Sequence, residues 1–373
     1  VLVVPAQAQA IAANRFVALD ALRFFAAFAV MAYHFAYGAG RTTTLDAPWS
    51  QAVLMHGYLG VHLFFIISGF AILWSAAGRA APAFARARLL RLYPEFWIAV
   101  VVSSIVFFVF PPGERHPLPI SETMRNLTMV PQYLGASFVD EVYWTLGVEL
   151  KFYAITWLLL VSGQLPHVER WLIGWIVGTG VVTVVDLGPV FRSALIFPYG
   201  ALFAAGGLFF LSYERGWTPL RVGALLLALG ISAFHGVGGM PGFVEASDIT
   251  SASRAATAAV FVGMFGTLAM LVQTQPLAGA ATVCTLLGSL TYPLYLLHNT
   301  GKAMFLLPGD AAPAGAAELA MATLYSLAVA YAVMRVGTGP VRSLLKRALD
   351  RLPIFRPRER RPTAATGDHP ALR

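Results

Sequence analysis

The stretch RFFAAFAVMAYH, Arg23 to His34, puts an arginine and a histidine at the ends of ten residues that carry no charged side chain. Read as a helix, eleven positions at ~100° each come to about 1100°, some 20° past three full turns. Both end residues therefore share one face, ~16 Å apart along the axis. Asp20, three residues before Arg23, reaches the same face and can pair with it. In lipid, each ionisable side chain is costly unless it is paired or hydrated, so such residues mark functional positions.

Composition decides that the setting is lipid. Of 373 residues, 58% are hydrophobic and only 12% charged, and mean hydropathy is +0.69; a soluble domain carries about twice that charged fraction. A bilayer-crossing helix needs ~20 mainly apolar residues. Ten segments qualify, at about 17–38, 53–76, 94–111, 142–162, 170–186, 193–212, 219–236, 254–272, 283–305 and 316–336. The expected fold is therefore an all-α polytopic membrane protein of about ten transmembrane helices. The opening VLVVPAQAQA has no basic region before an apolar core and is not read as a signal peptide. A single cysteine, Cys284, gives no disulfide framework and no cysteine-based metal site; no metal is expected.

Lysine and arginine placement sets the orientation. With ten spans the termini share a side, which holds seventeen basic residues against five (Arg41, Arg115, Arg125, Arg192, Arg254) on the other. Both termini are expected in the cytoplasm. Three regions follow: a short tail at 1–14, a transmembrane domain at 15–337, and a basic, partly disordered cytoplasmic tail at 338–373. Residues 342–361 hold eight basic and two acidic side chains, a pattern suited to anionic membrane lipid rather than nucleic acid.

The ionisable residues singled out within spans are Asp20, Arg23, His34, His62, Glu149, Lys151, His298, Lys302 and Arg335. Lys302 and Arg335 lie near helix ends, where long cationic side chains snorkel to the interface. Counting down each span puts His34, His62, Glu149 and His298 at broadly similar depth, so one polar cavity is expected to hold all four. A lone histidine in a span is as readily a helix–helix hydrogen-bonding residue. The segment RAAPAFARARLLRLYPEFW, Arg79 to Trp97, reads as a cytoplasmic loop whose Arg86, Arg88 and Arg91, with Arg23, suit a cytosolic polyanion.

Five strings in order resemble the membrane acyltransferase 3 family. LDALRFFAAFAVMAYH carries its Arg-x10-His pattern at Arg23 and His34. GVHLFFIISGF, with Ser68, matches its helix-two signature, and ARLLRLYPEFW its arginine-rich segment. YWTLGVELKFY holds Glu149 and Tyr153, and SLTYPLYLLH ends at His298. The chain departs from the family at His62, where many members have Asp, and at Leu150 and Lys151, where many have Glu and Gln.

The resemblance implies transfer of an acyl group, commonly acetyl, from cytosolic acyl-CoA to a hydroxyl of a glycan or lipid-linked saccharide at a bacterial inner membrane. It implies His34 as base with Glu149 as its partner, or His34 as the group that first accepts the acyl and passes it on, and donor contacts from Arg23, Arg86, Arg88, Arg91 and Ser68. Asp20, His62, Tyr153 and His298 are expected to support them. Two other readings stay open on the residues alone: a proton-coupled transporter or flippase, and a non-catalytic assembly or sensor protein on the same scaffold. Oligomeric state is not legible.

Overall fold

The computed structural model describes residues 17–37, 48–111, 117–274, 280–306 and 314–355. Among them there is no β-strand, and ten long helices occupy the ten expected segments: α1 (Val17–Ala36), α2 (Gly60–Ala76), α3 (Ala81–Val109), α4 (Trp144–Val161), α5 (Val168–Val184), α6 (Gly200–Arg215), α7 (Pro219–Gly238), α8 (Ser251–Thr274), α9 (Ala281–Phe305) and α10 (Ala316–Val336). A short helix, α11 (Arg342–Arg351), follows. The tail at 1–14 and residues 356–373 lie outside the described residues. The chain is an all-α multi-pass membrane protein.

Seven of the described helices are long and apolar enough to cross a membrane, α2 by including the helical turns that lead into it from Ser50. The three that are not, α5, α6 and α9, fall short for separable reasons. At 17 and 16 residues, α5 and α6 are shorter than the ~20 residues a crossing takes. The 25 residues of α9 are long enough but carry threonine, tyrosine, histidine, asparagine and lysine. Both α6 and α9 run through the interior, where other helices cover their polar groups: Gly200 to Ser212 of α6 are all buried.

Two contacts organise the bundle. The helices α2 and α6 cross face to face, and α9 is flanked by α1, α3 and α10. The first crossing depends on missing side chains. A Cβ at Gly69 would stand 2.0 Å from the Phe203 carbonyl oxygen, and one at Gly206 would stand 1.9 Å from that of Ile66. Without a large hydrophobic drive between helices in lipid, such close approach is a main source of association.

The structure corrects the sequence at α3. The segment read as a loop up to Pro94 is helical from Ala81, with Pro94 inside the helix. Proline is tolerated within a membrane helix when the surrounding bundle buries the break, and Pro94 is itself buried; beside it the Tyr292 hydroxyl donates to the Leu92 carbonyl at 3.3 Å. The 29-residue helix is ~43 Å long, beyond the ~30 Å apolar core. Its first turns carry Arg86, Arg88 and Arg91 on helix where a loop was expected.

The segment between α3 and α4 folds back along the bundle. The Tyr93 hydroxyl and the Trp97 indole donate to the carbonyls of Thr128 and Leu127, at 3.1 and 3.0 Å. Asn126 is fully buried and ties this segment together: its amide donates to Glu122 and Ser137 carbonyls and its oxygen accepts from the Val139 N–H. Consequently α4 starts low. Tyr143, at its head, meets Ser103 (3.1 Å), six residues and ~9 Å short of the C-terminal end of α3.

Candidate active site

A cavity of about 540 Å³ opens among α1, α2, α3, α4 and α9 and the start of α11. Its cationic lining is Arg23, Arg88, Arg91 and Arg342; its carboxylates are Asp20, Glu95 and Glu149. The sequence singles out neither Arg342 nor Glu95. Arg342 lay in a segment read as tail, and Glu95 stood at the edge of one read as loop. The continuous helix α3 and the packing of α11 bring both to the cavity.

The arginines are held in place by aromatic faces and acids. Arg88 stands over the rings of Phe84 and Tyr153, with guanidinium carbon to centroid distances of 5.7 and 5.6 Å, and Arg91 over Tyr292 at 5.8 Å. Asp20 lies 3.8 Å from Arg23, the pairing that the i,i+3 spacing suggests. Arg86 is placed differently. It is not in the cavity wall but bonded to Asp350 of α11, so it fastens α11 to α3.

Glu149 sits among these groups. Its carboxylate accepts from Ser68 Oγ at 3.0 Å and from the Tyr153 hydroxyl at 2.8 Å. Ser68 and Tyr153 thus meet at one acid on the cavity wall. Lys151 points elsewhere, to Ser193 and the Tyr133 ring.

His34 is partnered by His298 rather than by the expected Glu149. His34 Nδ1 and His298 Nε2 are 2.7 Å apart, and the rings stack at 5.0 Å and 15°. Helix geometry accounts for this. Thr145 bonds the Tyr295 hydroxyl at 2.9 Å, which fixes α4 against the antiparallel α9. From that level Glu149 is one turn toward the arginines, while His298 is three residues the other way, a separation of ~10 Å. Among the described residues no hydrogen bond joins Glu149 to His34.

The acceptors set the tautomers. His298 Nδ1 faces the carbonyls of Tyr295 (2.9 Å) and Leu294 (3.2 Å), and a carbonyl only accepts. Nδ1 therefore carries the proton, and Nε2 of the neutral ring accepts. His34 Nδ1 then donates to it, which leaves His34 Nε2 as an unprotonated nitrogen, the form a base requires.

His62 is not with them. It lies in a small void of about 50 Å³ with Ser232 and His235, its ring edge-on to Tyr58, Tyr199 and Phe261. The single cavity expected for His34, His62, Glu149 and His298 is thus three separate places. Lys302, expected to snorkel, is only 7% exposed and lies one turn past His298; Arg335 is exposed. Just past the end of α1, Tyr37 donates to Asp248 at 2.8 Å, which pins the segment before α8 over that end of α1 beside His34.

Comparison with known proteins fits this geometry. The family model described as Acyltransferase domain, of the acyltransferase 3 family, matches residues 16–335. The chain belongs to that family. A relative, acyltransferase MdmB of Streptomyces mycarofaciens, is 26% identical over 261 residues, which span 66% of this chain and 65% of the relative. No solved structure matches. Within this acyltransferase 3 chain, the matched region takes in every cavity residue named above except Arg342.

Proposed function

We propose that the chain is a membrane O-acyltransferase, moving an acyl group such as acetyl from cytosolic acyl-CoA to a hydroxyl of a glycan or lipid-linked saccharide at the bacterial inner membrane. The observation that carries this reading is the cavity itself, with four arginines in its wall and its far wall, Tyr295, one turn short of the His34–His298 pair. A relative that bears the name acyltransferase supports the reaction class.

Arg88, Arg91, Arg342 and Arg23 hold the donor's phosphates, since guanidinium forks match phosphate oxygens and the bonds are charge-assisted. Ser68 and Tyr153 keep the Glu149 carboxylate fixed beside them. His34 Nε2 takes the proton of the acceptor hydroxyl as its oxygen bonds to the acyl carbon. The carbon–sulfur bond then breaks with its electron pair on sulfur, and His34 returns the proton to that sulfur. His298 holds the His34 ring in the required tautomer throughout, the part an acid plays in a hydrolase triad.

The test is transfer of label from labelled acetyl-CoA to a saccharide acceptor by purified protein in nanodiscs. Label should appear on the acceptor, and His34→Ala should lower turnover on the order of 10²–10⁴-fold with insertion intact. Near-normal turnover in that variant removes His34 as base. Movement of a substrate across the membrane without acyl-CoA would support a transporter instead.

A further inference from the structure

Glu95 has no part in the reaction just described, and its position is unusual. It is 2% exposed and lines the cavity one turn along α3 from Arg91. Two of the three cavity carboxylates are occupied: Asp20 faces Arg23, and Glu149 is held by Ser68 and Tyr153. Glu95 Oε2 is buried with no hydrogen-bond partner among the described residues. A buried acceptor without a donor costs the full desolvation of that group, more so for a charged one.

The backbone around Glu95 is built to hold it there. At the end of α10, Gly337 passes so close that a Cβ would stand 2.6 Å from Glu95 Cγ. That side is closed, and the carboxyl group is left facing the cavity. Among the described residues no ion pair joins it to Arg91 or Arg342, so it is not the acid of a structural salt bridge. A lone carboxylate also opposes anion binding, so a site built only for phosphate would gain by losing it.

We infer that Glu95 is a donor-positioning residue whose carboxylate accepts a hydrogen bond from an amide N–H of the pantetheine arm of acyl-CoA. The inference rests on the donor reading proposed above. Depth selects the arm. Since α3 runs inward from its arginines, Glu95 lies ~6 Å past Arg91 and ~10 Å past Arg88 toward the histidine pair. With the phosphates at the arginines, the next polar groups along the molecule in that direction are the pantetheine amides and hydroxyl. One fixed contact there sets how far the thioester extends beyond Tyr295.

The test is equilibrium binding of CoA, and of a CoA analogue with one pantetheine amide N–H replaced by methylene, each of the two positions in turn. Wild-type protein, Glu95→Leu and Glu95→Met are compared in detergent or nanodiscs. Wild type should lose on the order of tenfold in affinity for one analogue relative to CoA. The variants should bind CoA about as weakly as wild type binds that analogue and should not discriminate between the two ligands. Their apo melting temperatures should equal or exceed that of wild type, because an unpartnered buried carboxylate has been removed; a structural acid would give the opposite. Variants that discriminate as strongly as wild type overturn the Glu95 assignment and leave the donor reading standing. A wild-type protein that does not bind CoA overturns both.

Discussion

At the scale of single residues, the chemistry we propose turns on which nitrogen of His34 is bare. The two carbonyls on His298 Nδ1 decide that from one turn away. His298→Gln tests the relay. Its amide can still bond His34 Nδ1 but is free to rotate and present N–H instead, so the tautomer is no longer fixed. We expect kcat to fall on the order of 10²-fold or more with KM for the donor within about threefold; a KM-led loss would make His298 a donor-binding residue. The arginine–histidine spacing on α1 was legible in the sequence, and so was the Asp20–Arg23 pair, because both lie within one helix. Glu95 was not legible: beside Pro94, at the edge of the segment read as loop, it was not singled out among the ionisable residues of a span.

At the scale of elements, the site depends on helices that approach more closely than ordinary side chains permit. Because Gly69 and Gly206 face each other's helix backbone, any side chain at Gly206 wedges α2 from α6 and moves Ser68, one residue from Gly69, away from Glu149. Gly206→Val should destabilise by about 1–3 kcal/mol or more, the cost of overpacking a tight interface, read as a lower midpoint of thermal unfolding in detergent. Gly223→Val, where nothing lies within 4 Å of a new Cβ, should leave the midpoint within a degree or two of wild type; equal losses at both would remove the crossing as the cause. The positions of the helices were readable from hydropathy, since each is a run of apolar residues. The start of α3 was not, because the local bias against helix before proline is overridden by neighbours that the local sequence does not contain.

At the scale of the whole molecule, charge asymmetry gives the orientation. With seventeen basic residues on one side and five on the other, we propose that the arginine mouth of the cavity and α11 face the cytoplasm, where acyl-CoA is made available. In a Cys284→Ala background, single cysteines at Ser247 and Leu352, both exposed, report the two sides. A membrane-impermeant maleimide on intact cells with a permeabilised outer membrane should label the Ser247 position and not Leu352. The reverse pattern inverts the topology and with it the side from which the donor enters.

The sequence alone determined what is periodic or additive: a lipid environment from composition, an all-α fold from the length of the apolar runs, and one shared face for Arg23 and His34 from 3.6 residues per turn. It could not determine vertical register between helices. A segment that folds back starts α4 ~9 Å short of the C-terminal end of α3, so Glu149 sinks to the arginines while His298 rises to His34. Depth in a bundle is set by where neighbouring helices bond to one another, here at Thr145–Tyr295 and Ser103–Tyr143, and those contacts join residues 150 and 40 positions apart. No local pattern encodes such pairings; only the packed bundle decides them.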